Sequence, residues 1–342
     1  MRNPCGTIGA PGRIGLLIGV AWLAACNLAA AADGEIPRTP DGRPDLQGVW
    51  ANNAATPLER PDALAGRDRL TAEEVAKLQA RADVLFNGEN DAAFGDTVYV
   101  DALAEKEEHT SYDPTTGNYN QFWVVRRTFD DRTSLLVDPA DGKIPALTPQ
   151  GQKSVDEAMA HAEAHPGDSY TDRINSDRCI TYGVPFIFAG YNGYFQIVQT
   201  PDHVVVMQEM IHEARIIPLD GRPTLNDGVR QWTGDARGHW EDDVLVVETK
   251  NFSPQSNFRG SSENLHLVER FSRIGPETLQ WDVTVNDPTH WTKPWTVSIL
   301  MTKSAEPIYE YACHEGNYAM EGILAGFRAE EAKAAGVVEG GR

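Results

Sequence analysis

Between residues 179 and 318, short runs of β-branched and aromatic residues return at short intervals, and each is closed by turn chemistry. Tyr194–Thr200 and Val204–Ile217 flank Pro201-Asp202. Gly238–Trp240 and Val244–Asn251 flank Glu241-Asp242-Asp243, and Leu265–Ile274 and Thr278–Asn286 flank Gly275-Pro276. Pro294–Met301 and Ile308–Cys313 give a fourth pair. Connections this short leave no room for crossover helices, so the spacing predicts a mainly β protein, an antiparallel up-and-down barrel or a sandwich of about seven or eight strands. Alternation then assigns faces: Leu265, Leu267, Glu269 and Phe271 oppose His266, Val268 and Arg270, while Leu279, Trp281, Val283 and Val285 oppose Gln280, Asp282, Thr284 and Asn286. Within 204–217, Met210-Ile211-His212 reads as a bulge or a reversal.

Residues 33–178 differ in texture and are expected as an irregular region whose two helices pack on the β-domain of 179–320. Prolines at 37, 40 and 44 predict an extended arm over Asp33–Gln47, leading into a short strand at Gly48–Trp50. Thr71 and Glu74 have capping-box spacing, and Val75, Leu78, Ala82 and Leu85 recur at helical intervals, which predicts a helix over Thr71–Phe86. Thr148-Pro149 opens a second helix that runs to about His165. Phe122–Val125 and Ser134–Val137 read as short strands, and residues 321–342 as a polar tail.

The first 32 residues carry Arg2 and Arg13, an apolar run from Ile14 to Ala25, and an alanine-rich end, the pattern of a secretory signal. That run is too short to span a bilayer, which needs about 20 residues. Leu23-Ala24-Ala25-Cys26 has the form of a lipobox, with Cys26 as a lipidation site, while Ala30-Ala31-Ala32 before Asp33 fits ordinary cleavage. Both remain open, and both place the chain in the periplasm or cell envelope, with a membrane contact only through a lipid anchor. Of four cysteines, Cys5 and Cys26 belong to the leader. Cys179 and Cys313 are then expected as one disulfide in an oxidising compartment. The formal charge is −20, which excludes nucleic acid as a natural partner and disfavours polyanions.

Several strings are specific: PDGRPDLQGVW from Pro40 to Trp50, PLDGRP from Pro218 to Pro223, GHWEDDVLVVETKNF from Gly238 to Phe252, NFRGSSENLH from Asn257 to His266, and YEYACHEGNY from Tyr309 to Tyr318. Through them the chain resembles, over nearly all of its length after the leader, a family of secreted bacterial proteins of unknown function. The resemblance implies export and this architecture but carries no catalytic residues with it. More loosely, Gly48-x-Trp50 before a strand meander is similar to calycin and lipocalin-like barrels, a likeness of fold alone.

No Gly-x-Gly-x-x-Gly, P-loop, Gly-x-Ser-x-Gly, His-Glu-x-x-His or Cys-x-x-Cys string is present, so no cofactor or metal is expected from motifs. What remains is a concentration of titratable residues in the β region. Glu310, His314 and Glu315 at a strand end, with Asn317 in the following turn, suit general acid and base work. Arg237 and His239 share a strand face and suit an anionic intermediate. Arg259 and Glu263 lie in a loop that leads to His266 and Arg270 on one face. Trp291 and Trp295 flank Lys293-Pro294 and could form a stacking platform for a sugar or aryl ligand. These groups point to an exported acid–base enzyme, a lyase, hydratase or hydrolase for a small carbohydrate-like or aromatic compound. The alternatives are a lipocalin-like binding protein without turnover, which would have an aromatic cavity with few convergent charges, and an envelope scaffold.

Overall fold

A computed structural model describes residues 34–85, 97–104, 127–187 and 192–336. The leader with Cys26, and the strand expected over Phe122–Val125, lie outside the described residues. The body is one antiparallel sheet built from β1 (Gly48–Ala51), β2 (Leu136–Asp138), β3 (Tyr194–Gln199), β4 (His203–Gln208), β5 (Ala214–Pro218), β6 (Asp235–Glu241), β7 (Val244–Lys250), β8 (His266–Gly275), β9 (Thr278–Asn286) and β10 (Trp295–Ser304). Its order is β5-β4-β3-β1-β10-β9-β8-β7-β6, with β2 pairing the remaining part of β10. Helices α1 (Ala72–Leu85), α2 (Thr97–Leu103), α3 (Pro149–Ala164) and α4 (Ala319–Ala334) accompany it.

The hairpins follow the turn chemistry. Arg270 faces Asp282 and Phe271 faces Trp281 across β8 and β9, in the register that puts Leu267, Glu269 and Phe271 inside and His266, Val268 and Arg270 outside. The inner face is dry: Trp281, Val283, Val285, Trp295 and Ile299 are each 0 % exposed. Each such side chain contributes about 1.5–3 kcal/mol through burial. A smaller core of Leu64, Leu70, Leu78, Tyr99 and Ala102 joins α1 and α2.

Four details depart from the sequence reading. The barrel does not close. Because β1, contributed by the arm, inserts between β3 and β10, the hydrogen-bonded path holds nine strands, and an odd number leaves both edges, β5 and β6, running the same way. They approach each other, since a Cβ added at Gly238 would sit 2.8 Å from Ile217 Cγ2, yet they share no ladder. An antiparallel barrel needs an even count. Second, Ile308–Cys313 is not a strand but an extended segment followed by a turn. Third, 204–217 is two strands, with the chain reversing through Met210–His212. Fourth, the tail is helical from Ala319.

The arm closes one end of the rolled sheet. The Arg38 guanidinium donates to both Asp243 carboxylate oxygens at 2.9 and 2.6 Å, and Arg43 lies over the Trp240 ring. Leu46 N–H donates to Gln199 Oε1 at 3.0 Å, and Trp50 Nε1 donates to the Leu46 carbonyl at 2.8 Å. These partners sit at the β3–β4 and β6–β7 turns, so the opposite end, where the longer loops gather, is the one left to hold a site. No helix among the described residues is long and apolar enough to cross a membrane.

Candidate functional site

At that opposite end a cavity of about 260 Å³ opens between the 174–184 segment on one side and Trp232 with the 252–265 loop on the other. Tyr182, Trp232, Phe252 and Phe258 supply aromatic wall, and Asn175, Thr181, Ser256 and Asn257 supply amides and hydroxyls. None of the lining side chains is charged. Such a lining suits a neutral ligand with flat or hydroxylated faces.

Local chemistry holds both walls. Cys179 and Cys313 form a disulfide with Cα atoms 5.8 Å apart, as the cysteine count predicts, and it ties the 174–184 segment to the chain before α4. Closing a loop of 134 residues stabilises by roughly 4–5 kcal/mol in the chain-entropy picture. Across the cavity, Asn175 Nδ2 donates to the Gln255 carbonyl at 2.9 Å. Phe258 stacks on Trp295 at 6.0 Å. The loop is pinned further where Ser261 Oγ donates to buried Asp287 at 2.5 Å and His290 Nε2 meets the Arg259 carbonyl at 3.0 Å. Gly260, at φ +93°, has no room for a side chain, since a Cβ would lie 2.7 Å from the His290 ring.

Behind the cavity wall lies a buried polar cluster. Thr181 lines the cavity, accepts from Gly183 N–H at 2.9 Å and donates to Glu213 Oε2 at 2.5 Å. Burial pushes the Glu213 carboxyl up from its ordinary range, against the opposing pull of Thr181 and Arg215. Arg215 itself is committed elsewhere: its guanidinium donates in bidentate fashion to Glu269 at 2.5 and 2.9 Å, and Trp281 Nε1 completes that carboxylate at 3.2 Å. Glu269 is 0 % exposed. Beside the cluster, Ile211 and His212 adopt φ of 59° and 43°. A β-branched residue in the left-handed region is a strained choice, of the kind that gathers at functional sites.

A second, shallower cavity of about 620 Å³ adjoins the first through Ser176, which lines both. Asp177, Glu310, Tyr311, Asn317 and Ile323 contribute to it.

The residues singled out in the sequence fall in four places. His314 and Glu315 stand exposed in the turn after Cys313. Their neighbour Glu310 lines the second cavity, as does Asn317, whose amide donates to Cys179 Sγ at 3.3 Å. Arg237, His239, His266 and Arg270 lie on the outer face of β6 to β8, where they solvate and pair the sheet: Arg237 with Asp235 at 2.5 Å, His239 with Glu241 at 3.3 Å, and Arg270 with Glu241 at 2.9 Å. His266, 3.4 Å from Glu248, is pushed down by burial and by Lys250. Arg259 and Glu263 are exposed on the loop, and the Glu263 carbonyl accepts from Arg230 at 2.8 Å. Trp291 and Trp295 are not an open platform, because they are 3 % and 0 % exposed and pack edge to face at 5.5 Å. Among the described residues no three His, Cys, Asp or Glu side chains gather as a metal ion would require.

Sequence reasoning passed over Thr181, Tyr182, Trp232 and Phe252, which come from four separate segments with no common motif. Glu269 did carry a signal, a carboxylate in the apolar register of its strand. Glu213 lay in the 210–215 stretch, where only the break in the strand marked it. Comparison with protein-family models, with curated proteins and with solved structures finds no match.

Proposed function

We propose that the protein is an exported ligand-binding protein of the cell envelope that takes a small neutral aromatic or carbohydrate-like compound into the cavity between residues 174–184 and 252–265. The lining carries the reading: four aromatic rings and several amide or hydroxyl groups face a space of about 260 Å³ with no charge among them. An uncharged aromatic cavity at the loop end of a rolled sheet is what a lipocalin-like carrier uses. The leader pattern and the resemblance to secreted bacterial proteins support export. Retention of uncleaved precursor in globomycin-treated cells would favour Cys26 as the anchor, and normal release would reject it.

Trp232 gives the binding test its probe. Aryl glycosides, neutral sugars and phenolic compounds are titrated while Trp fluorescence and the melting midpoint are followed. Binding by at least one class is expected, weakened about tenfold or more in Phe258→Ala. No response to any of them would sink the reading.

One observation favours catalysis in the same place. The Thr181 hydroxyl at the cavity wall is 2.5 Å from Glu213, whose carboxyl is held up by burial, so a proton could pass from a bound hydroxyl through Thr181 to Glu213 and back. That makes the protein an acid–base enzyme with Glu213 in the role the sequence assigned to His314 and Glu315. Turnover of an aryl glycoside that survives Glu213→Gln unchanged would reject this second reading and leave the first.

A further inference from the structure

The cavity does not end at its own rim. Ser176 lines both it and the adjoining cavity of about 620 Å³, so the two form one trough across the 174–177 segment. Their linings differ in chemistry. The first is aromatic and uncharged, whereas the second adds the carboxylates of Asp177 and Glu310 and the amide of Asn317. Asp177 is already neutralised by Arg173 at 2.9 Å.

The trough is also edged by unusual exposure. Tyr182, Tyr309 and Tyr318 are 40 %, 72 % and 76 % exposed. Tyr182 lines the first cavity, while Tyr309 and Tyr318 are the chain neighbours of the lining residues Glu310 and Asn317 or Ala319. Rings left in water beside amides and carboxylates match a ligand with alternating flat apolar faces and hydroxyl edges: the rings stack, and the polar groups take the hydroxyls.

We infer that the trough binds a neutral oligosaccharide, with one or two residues in the aromatic cavity and the following residues passing over Ser176 toward Glu310 and Asn317. This rests on the cavity being a binding site and adds the length and class of what it holds. Polyanionic glycans are disfavoured, because Glu310 faces them and the chain carries a formal charge of −20. An extended peptide finds turn and loop segments along the trough instead of an open strand edge.

Calorimetric titration of the purified protein with chitohexaose, cellohexaose and maltohexaose, each against its own disaccharide, tests chain length directly. At least one hexasaccharide should bind about tenfold more tightly than its disaccharide. The double variant Tyr309→Ala, Tyr318→Ala should remove that gain while leaving disaccharide affinity as it was. Equal affinity for the two lengths, or a gain that survives in the double variant, overturns the inference. If aryl compounds bind and no hexasaccharide does, the inference fails and the cavity reading stands. If nothing binds, both fail.

Discussion

At the scale of single residues the carboxyl groups behave differently according to what surrounds them. Asp220 is exposed and held by Arg222 at about 2, whereas burial raises Glu213 above its ordinary 4.5. A raised acid favours the folded state at low pH, and that advantage is lost as pH climbs from the unfolded value through the folded one. Above that window the folded protein carries the full cost of an ionised, buried carboxylate. Glu213→Gln should therefore raise the melting midpoint at pH 7 to 8, and the difference should shrink toward zero below pH 4 to 5. Parallel melting curves for the two proteins across that range would show the carboxyl to be ordinary. His266 has the opposite sense: burial lowers it, so its share of stability is present above its unfolded value near 6.5 and fades as the solution is acidified.

At the scale of elements, β5 and β8 meet across the interior through one ion pair, Arg215 with Glu269. Removing one partner leaves a buried charge without an answer, so Arg215→Met alone should cost about 3–5 kcal/mol in urea unfolding. Arg215→Met with Glu269→Leu should recover most of that loss, because a well-packed apolar pair avoids the desolvation penalty altogether. A double variant as unstable as the single one would show that the pair carries packing that Met and Leu cannot replace. The same element shows what was legible beforehand. Alternation along 265–272 and 279–286 assigned the faces correctly, since a period of two and a Gly-Pro turn leave a single consistent register. The capping pair was equally clear: Thr71 Oγ1 accepts from Glu74 N–H at 3.2 Å, and Glu74 answers to Thr71 N–H at 2.8 Å. The site was not legible, because a cavity is made by residues far apart in the chain. Thr181, Trp232 and Phe258 come together only through the disulfide, the Asn175 contact and the loop anchored on Asp287. The exposed runs that drew attention, His314-Glu315 and Arg237-Gly-His239, were polar because they face water.

At the scale of the whole molecule the rolled sheet has one end sealed by the arm and the other given to loops. The disulfide joins the wall of the cavity to the approach of α4, so the two halves of the trough are braced by one covalent link. Counting turn signals could not give the number of strands, because the arm's four residues, Gly48–Ala51, look too short and too isolated to count. Yet their insertion sets the parity of the sheet and, with it, the open seam. Those residues also impose an order of events. Val49 pairs with Gln196 on one side and Ser304 on the other, so the first strand to leave the ribosome is the last to find both neighbours. A chain paired this way has no stable half-built form to jam a narrow exit, and it stays threadable until nearly all of it has passed. The strand nearest the leader thus acts as a timer, delaying assembly until the far end of the polypeptide arrives.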